Sequence, residues 1–195
     1  MATTFNTIFN KYKFDPVQAR KKGQAWFDRQ IEKLGDHKPK ASEIMRGSNS
    51  RNRGNALIGN LYFFYYDAKN KNKLQYWDRF PLCMPFSIHD NGFTGINFHY
   101  LPAPSRLFLL DSLLSIHNTK INPNTQLQLS WATITRVSKF NMAEMAVHRY
   151  LLNHIQSPLK IVYPEEWENS MFLPVQKFVD INNKPLKANK IWGSI

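Results

Sequence analysis

The sequence predicts an α+β fold: a small twisted antiparallel sheet of roughly four strands, flanking helices and a helical carboxyl-terminal half. Three observations carry that reading. Residues 59–101 concentrate short runs of Tyr, Phe and Trp between Gly, Asn, Asp and Pro, the composition of strands joined by turns. From residue 102 onward the apolar spacing changes to threes and fours, the period of amphipathic helices. The chain has 195 residues, 43% of them hydrophobic, enough for one ordinary core and too few for two.

Taken in order, residues 1–14 carry Phe5, Ile8, Phe9, Tyr12 and Phe14, too many for a free tail, and are expected to dock on the body or on another subunit. Asp15-Pro16 predicts a helix start, with Asp as N-cap and Pro in the first helical position. That helix should run to Leu34, stop at Gly35 and bury Trp26, Phe27, Ile31 and Leu34. Asp36 to Gly59 is polar and basic, with a helical turn expected at Ser42–Met45. Its stretch RGSNSRNRGN reads as a mobile loop by composition. Strands are expected at Leu61–Tyr66, Leu74–Phe80, Leu82–His89 and Phe93–Phe98, the second returning beside the first. DAKNKNK (67–73) is a solvated connection. Asn91-Gly92 suits a type I′ hairpin needing positive φ at both residues, and Pro81 and Pro85 belong at edges or bulges.

Beyond Pro102 and Pro104, a helix over Ser105–His117 should bury Leu107, Leu110, Leu113, Leu114 and Ile116. A second, capped by Asn124 or Thr125, should bury Leu129, Trp131, Ile134 and Val137. A third is predicted over Met142–Gln156, ended by Ser157-Pro158. Leu159–Tyr163 reads as a short strand. Pro164-Glu165-Glu166-Trp167 has the acidic first turn of a helix that ends near Phe172–Pro174. A basic terminal helix would dock through Trp192. The organisation expected is a basic amino-terminal helix and flexible loop (1–58) and an α+β body (59–195, sheet about 59–101, helical part about 102–195), together one domain.

The net charge of +12 is uneven. Up to residue 53, twelve basic residues face five acidic ones, so this quarter holds +7 and the rest +5. Such asymmetry fits a polyanion, an acidic protein neighbour, or a merely solvated face, and charge alone does not separate them. No apolar run approaches the roughly 20 residues of a membrane span, and the amino terminus lacks a signal-like apolar core. The lone cysteine, Cys83, sits in an apolar strand context and reads as a small buried hydrophobe.

Six histidines (His37, His89, His99, His117, His148, His154) match no zinc spacing. His148 and His154 would fall on different sides of the expected helix. Phosphate-binding glycine signatures and GxSxG are absent. Asp28 with Glu32-Lys33 loosely resembles a nuclease acid–lysine set, but on one helix it reads as an i,i+4 carboxylate pair facing solvent. Glu165, Glu166 and Glu168 read as a helix-start cluster. These residues favour a binding or structural role over an enzyme and imply no cofactor and no metal.

One set of residues carries a family resemblance: Tyr66, Asp67, Lys69, Lys71, Leu74, Tyr76, Asp78, Phe80, Pro81 and Leu82, then Gly92, Phe93, Gly95, Asn97, His99, Tyr100, Leu101, Pro102, Arg106, Leu110, Asp111 and Leu113. In these the chain resembles T4-type tailed-phage DNA end protectors, head-completion virion proteins. A weaker likeness runs through Ser138-Lys139-Phe140 and from Glu166-Trp167 to Leu173-Pro174, so it covers most of 59–175. Gln75 and Trp77 depart from the family pattern, which has proline and tyrosine there. The resemblance implies a non-enzymatic virion protein, in the host cytoplasm during assembly, that binds the packaged DNA end or the portal and neck and protects DNA. Partners would be other virion proteins and double-stranded DNA, within a larger assembly and without a membrane. Phosphate contacts would fall to Arg20, Lys21, Lys22, Arg46, Arg51, Arg53, Lys69, Lys71 and Lys73. The alternative is an architectural tail, neck or baseplate subunit whose basic arms grip acidic protein surfaces.

Overall fold

Leu61–Phe64 is apolar without alternation because its strand is covered on both faces. A computed structural model describes residues 16–34, 40, 58–138, 141–171, 178–187 and 190–191. In chain order the elements are α1 (Pro16–Glu32), β1 (Leu61–Phe63), β2 (Tyr76–Asp78), β3 (Leu82–His89), β4 (Gly92–Asn97), α2 (Ala103–Asn118), α3 (Pro123–Val137), α4 (Asn141–Glu144), β5 (Val147–Leu151), β6 (Lys160–Val162), α5 (Pro164–Met171) and β7 (Phe178–Asp180). One antiparallel sheet of five strands has the order β5-β4-β3-β1-β6, and β2 pairs with β7 in a separate two-stranded ribbon. The fold is α+β, as the sequence predicts.

Two cores result. Leu61, Phe63, Met84 and Ile96 join Trp26, Phe27, Leu110, Leu113 and Ile134 on the helical side. Tyr62, Phe64, Cys83, Phe93 and Tyr150 form the second with Tyr66, Trp77 and Val179. This second core is aromatic and angular: Phe64 meets Tyr150 edge-on at 5.2 Å, and Tyr66 meets Tyr150 at 4.9 Å, the arrangement that ring quadrupoles favour. On the helical side, Glu166 Oε1 accepts from Trp26 Nε1 (3.2 Å) and Gln30 Nε2 (3.3 Å), holding α1 to α5.

The β3–β4 hairpin forms where expected, but for another reason. Its two-residue loop is Asp90-Asn91, with His89 facing Gly92, and among the described residues the positive-φ positions are Gly59 and Asn183. Gly92 is instead required by close approach, because a Cβ there would lie 2.0 Å from the Tyr150 carbonyl oxygen. Pro85 sits at a register shift between Pro85 and Ser87, and the freed Phe86 carbonyl accepts from Trp131 Nε1 at 2.8 Å. That bond draws Trp131 over the bulge and leaves it 42% exposed, with Leu129 44% exposed, although both were expected in the core.

Three further expectations are corrected. The helix predicted over Met142–Gln156 is the short α4 followed by β5, a 3₁₀ turn over Leu152–His154 and a bridge from Ile155 to Tyr66. Val-His-Arg-Tyr-Leu takes the open edge of β4, which offers five residues of ladder and two covered faces. The strand at Tyr76–Asp78 does not return beside β1 but pairs with β7, a strand not anticipated. The cap of α3 is Asn122, whose side chain accepts from the Thr125 amide at 2.9 Å, with Pro123 following it. The first strand is also shorter, ending at Phe63. Asp15, Gly35, Ser42–Met45, the docking of residues 1–14, Phe172–Pro174 and Trp192 lie outside the described residues.

Candidate nucleic-acid interface

Of the expected cations, Lys21 and Lys22 are exposed on α1, on the side away from Trp26 and Phe27, and Arg20 belongs to the same helix. Lys69, Lys71 and Lys73 are exposed on the connection from Tyr66 to β2. Arg46, Arg51 and Arg53 lie outside the described residues. The structure does not bring the two described groups together. Helix α1 packs on the helical core, whereas the lysine loop springs from Tyr66 and Ala68 of the aromatic core on the other face.

The loop is folded rather than merely solvated. Lys71 N donates to Ala68 O (3.3 Å), and Lys73 N and Leu74 N donate to Asn70 O (2.8 and 3.1 Å). At its base, Asp67 N donates to His154 O (3.0 Å), while the His154 imidazole Nδ1 bonds Asp67 O (2.9 Å). Lys71 Nζ reaches back to Asp67 at 2.9 Å, an exposed i,i+4 pair contributing little. The turns hold three ammonium groups out from one short segment.

Between this loop, β2 and β5 lies an open cleft of about 290 Å³. Tyr66, Tyr76, Trp77, Tyr100, His148 and Tyr150 make its aromatic walls, Asp78 belongs to its polar lining, and exposed Lys69, Asn70 and Arg149 form its mouth. His148 and Tyr150 face it together because residues two apart on a strand share a face. The ring of Tyr100 lies 4.1 Å from that of His148.

Below the cleft a polar network closes. Asp78 Oδ2 accepts from His99 Nδ1 (2.6 Å) and Asn97 Nδ2 (3.0 Å), and Oδ1 accepts from Phe80 N (3.1 Å). Asn97 Nδ2 also bonds the Tyr150 hydroxyl (3.0 Å), and Asn97 Oδ1 accepts from His99 N (3.0 Å). Burial works against ionising Asp78, but the attraction and hydrogen bonds of His99, Asn97 and Phe80 outweigh it and hold the carboxyl below its ordinary range. Burial depresses His99 more than Asp78 raises it, so the ring is neutral and donates from Nδ1. Burial also lowers His148 to about 4 against a Met145 backbone bond.

Arg106, wholly buried, donates from Nε to Phe98 O (2.7 Å) and from Nη2 to Leu101 O (2.8 Å) and His99 O (3.3 Å). Burial brings it down to about 9, still protonated at neutral pH. Cys83 is buried, and desolvation pushes its thiol well up. Among the described residues no three of His, Cys, Asp and Glu are grouped to hold a metal, and no described helix is long and apolar enough to cross a membrane. The arrangement can bind through its exposed cations and aromatic walls. It presents no thiolate poised for attack.

Arg149 and His148 were missed because their segment was read as helix. The signal that could have found them is the strand period in Val-His-Arg-Tyr-Leu, rich in β-branched and aromatic residues. Tyr76 and Trp77 were read as strand residues, without the cleft they border.

A family model described as Phage T4 terminal DNA protecting protein matches residues 3–195, taking in the basic amino-terminal part that the motif resemblance left uncovered. Searches of curated proteins and of solved structures returned no match.

Proposed function

The chain belongs to the Phage T4 terminal DNA protecting protein family, and from that premise we propose that it is a non-enzymatic virion protein that binds the end of packaged DNA through its cations during head completion, at the portal or neck, and shields that end. The observation that carries this is the set of exposed lysines on two rigid mounts, α1 and the turn-locked loop at 67–74, in a chain of net charge +12. Cations held on structured elements neutralise phosphates without an ordering cost. The counterions they displace give affinity that is independent of sequence and steep in salt. Arg20, Lys21, Lys22, Arg46, Arg51, Arg53, Lys69, Lys71 and Lys73 are the proposed contacts, shared between 1–58 and the body.

The test is titration of linear blunt duplex and of circular duplex at two salt concentrations, with exonuclease digestion of the linear DNA alongside. Salt-steep binding with protected ends supports the reading, and charge reversal at Arg46, Arg51 and Arg53 should flatten the salt slope. No binding to either DNA overturns it in favour of an architectural subunit of the neck, tail or baseplate. One observation favours that second reading: Phe108 on α2 is 78% exposed, a large apolar side chain suited to a protein neighbour.

A further inference from the structure

We infer that the cleft between the lysine loop and β5 receives a single unpaired nucleobase at the end of a DNA strand, with its phosphate held at the mouth by Lys69 and Arg149. This rests on the DNA-end reading above and adds to it a way of telling an end from duplex interior.

Size limits the occupant first. At about 290 Å³ the cleft falls at the lower end of small-molecule sites, roughly 300–1,000 Å³, and admits one ring system, not a duplex. Its walls are faces of Tyr76, Trp77 and Tyr100, and aromatic faces hold any base by stacking, whatever its identity. Stacking surfaces in a protein that otherwise reads only phosphate would have no use against paired, stacked interior bases. They suit a base already outside a helix, for which unpairing costs least.

Polarity gives the orientation. The mouth is cationic, from Lys69 on one wall and Arg149 on the other, both exposed. The interior contains the Asp78 carboxylate, which repels phosphate and accepts from an amino group. Three of its hydrogen bonds are used internally, and a carboxylate accepts about four. Two further buried atoms of lining residues lack partners: Trp77 Nε1, on a side chain 6% exposed, and His148 Nε2. Because the His148 imidazole bonds the Met145 backbone and Nε2 is unbonded, that bond runs through Nδ1, and Nε2 of the neutral ring is an acceptor. An unused donor and an unused acceptor among aromatic faces match the edge of a heterocyclic base. A purely apolar side chain would leave both unsatisfied.

The experiment compares three hairpin DNAs with the full-length protein: one blunt, one with a short single-stranded overhang, and one whose overhang is abasic. We expect the overhang to bind about tenfold more tightly than the other two, the scale of one stacked base. A 2-aminopurine in the overhang should be quenched on binding. Tyr76→Leu, which keeps apolar volume, should erase the overhang preference while leaving blunt-end affinity, and Arg149→Gln should weaken overhang binding selectively. Equal binding of all three DNAs without quenching overturns the cleft while leaving the DNA-end reading intact. Failure to bind any of them overturns both.

Discussion

His99 and Asp78 meet at 2.6 Å, Nδ1 to Oδ2, with side chains 0% and 1% exposed. They join the small β2–β7 ribbon to the turn after β4, so the cleft's floor depends on this contact. Asp78→Ala would leave the His99 and Asn97 donors buried without their acceptor, a loss of about 3–5 kcal/mol by the scale for broken buried pairs. Asp78→Asn keeps one acceptor oxygen and should cost less. Denaturant midpoints of the two variants check the order: Ala below Asn, Asn below the parent.

Arg106 tests a different kind of buried charge. Its partners are three backbone carbonyls in Phe98–Leu101, so it works as a clip on the chain between β4 and α2. Arg106→Met retains length and apolar volume but strands those oxygens, and should destabilise by about 3 kcal/mol or more. Arg106→Lys can reach fewer of them and should fall between. An Arg106→Met variant as stable as the parent would show that solvent reaches the carbonyls.

Local signals made much of the fold legible, and their failures share one cause. Leu82–His89 was delimited by Pro81 and the Asn91-Gly92 pair, α1 by its apolar spacing, and α5 by Pro164 and two glutamates. Each boundary lies within the segment it bounds. The strand β5 was misread because Met145, Ala146, Tyr150 and Leu151 also fit a helical stripe, and what decides is the open edge of β4, some fifty residues earlier. The same holds for the site. Lys69, Lys71 and Lys73 were visible as solvated charges, but the cleft is assembled from Tyr66, Tyr76, Tyr100 and His148, whose nearness only the tertiary fold creates. Arg106 reads as a surface residue until the 3₁₀ turn before it presents its carbonyls.

Gly92 offers a direct check on the β4–β5 edge. A methyl group there would sit 2.0 Å from the Tyr150 carbonyl oxygen and 3.2 Å from Leu151 Cα, both backbone, so neither can rotate away. Gly92→Ala must push β5 off β4, and with it the wall that carries His148 and Arg149. A loss of about 3 kcal/mol is expected. Hydrogen exchange should show the opening in Val147–Leu151 before it appears in β1.

Acid should weaken the protein in a window set by His148. Its folded value, about 4, lies below the ordinary 6.5 because burial disfavours the charged ring. Between those values the unfolded chain binds a proton that the folded one excludes. Stability is therefore full above pH 6.5 and falls as pH drops toward 4, by about 2 kcal/mol once the ring's partial exposure is allowed for. His99, also lowered, acts in the same direction. Asp78, lowered from 3.8, has the opposite group type but the same sign, its stabilisation being lost below that value. Unfolding midpoints at several pH values should show the decline, and His148→Gln should reduce its slope without removing it.

The three loop lysines are not equivalent, and salt dependence should separate them. Each phosphate contact removed should lower the slope of log affinity against log salt by about 0.9 on duplex DNA. Lys71 is already spent in part on Asp67, at 2.9 and 3.0 Å to the two carboxylate oxygens, so Lys71→Gln frees a carboxylate as it removes a cation. Lys69→Gln and Lys73→Gln each remove one exposed charge from a loop whose turns are made by the backbone, and neither should disturb folding. The expected result is a slope reduced by about 0.9 in each of the latter two variants and by about 1.8 in the pair. Lys71→Gln with Asp67→Asn should change the slope least, since charge is conserved across the two sites. A slope unchanged by the Lys69 and Lys73 pair would place DNA on the α1 side alone, where charge reversal at Lys21 and Lys22 would then have to account for the whole effect.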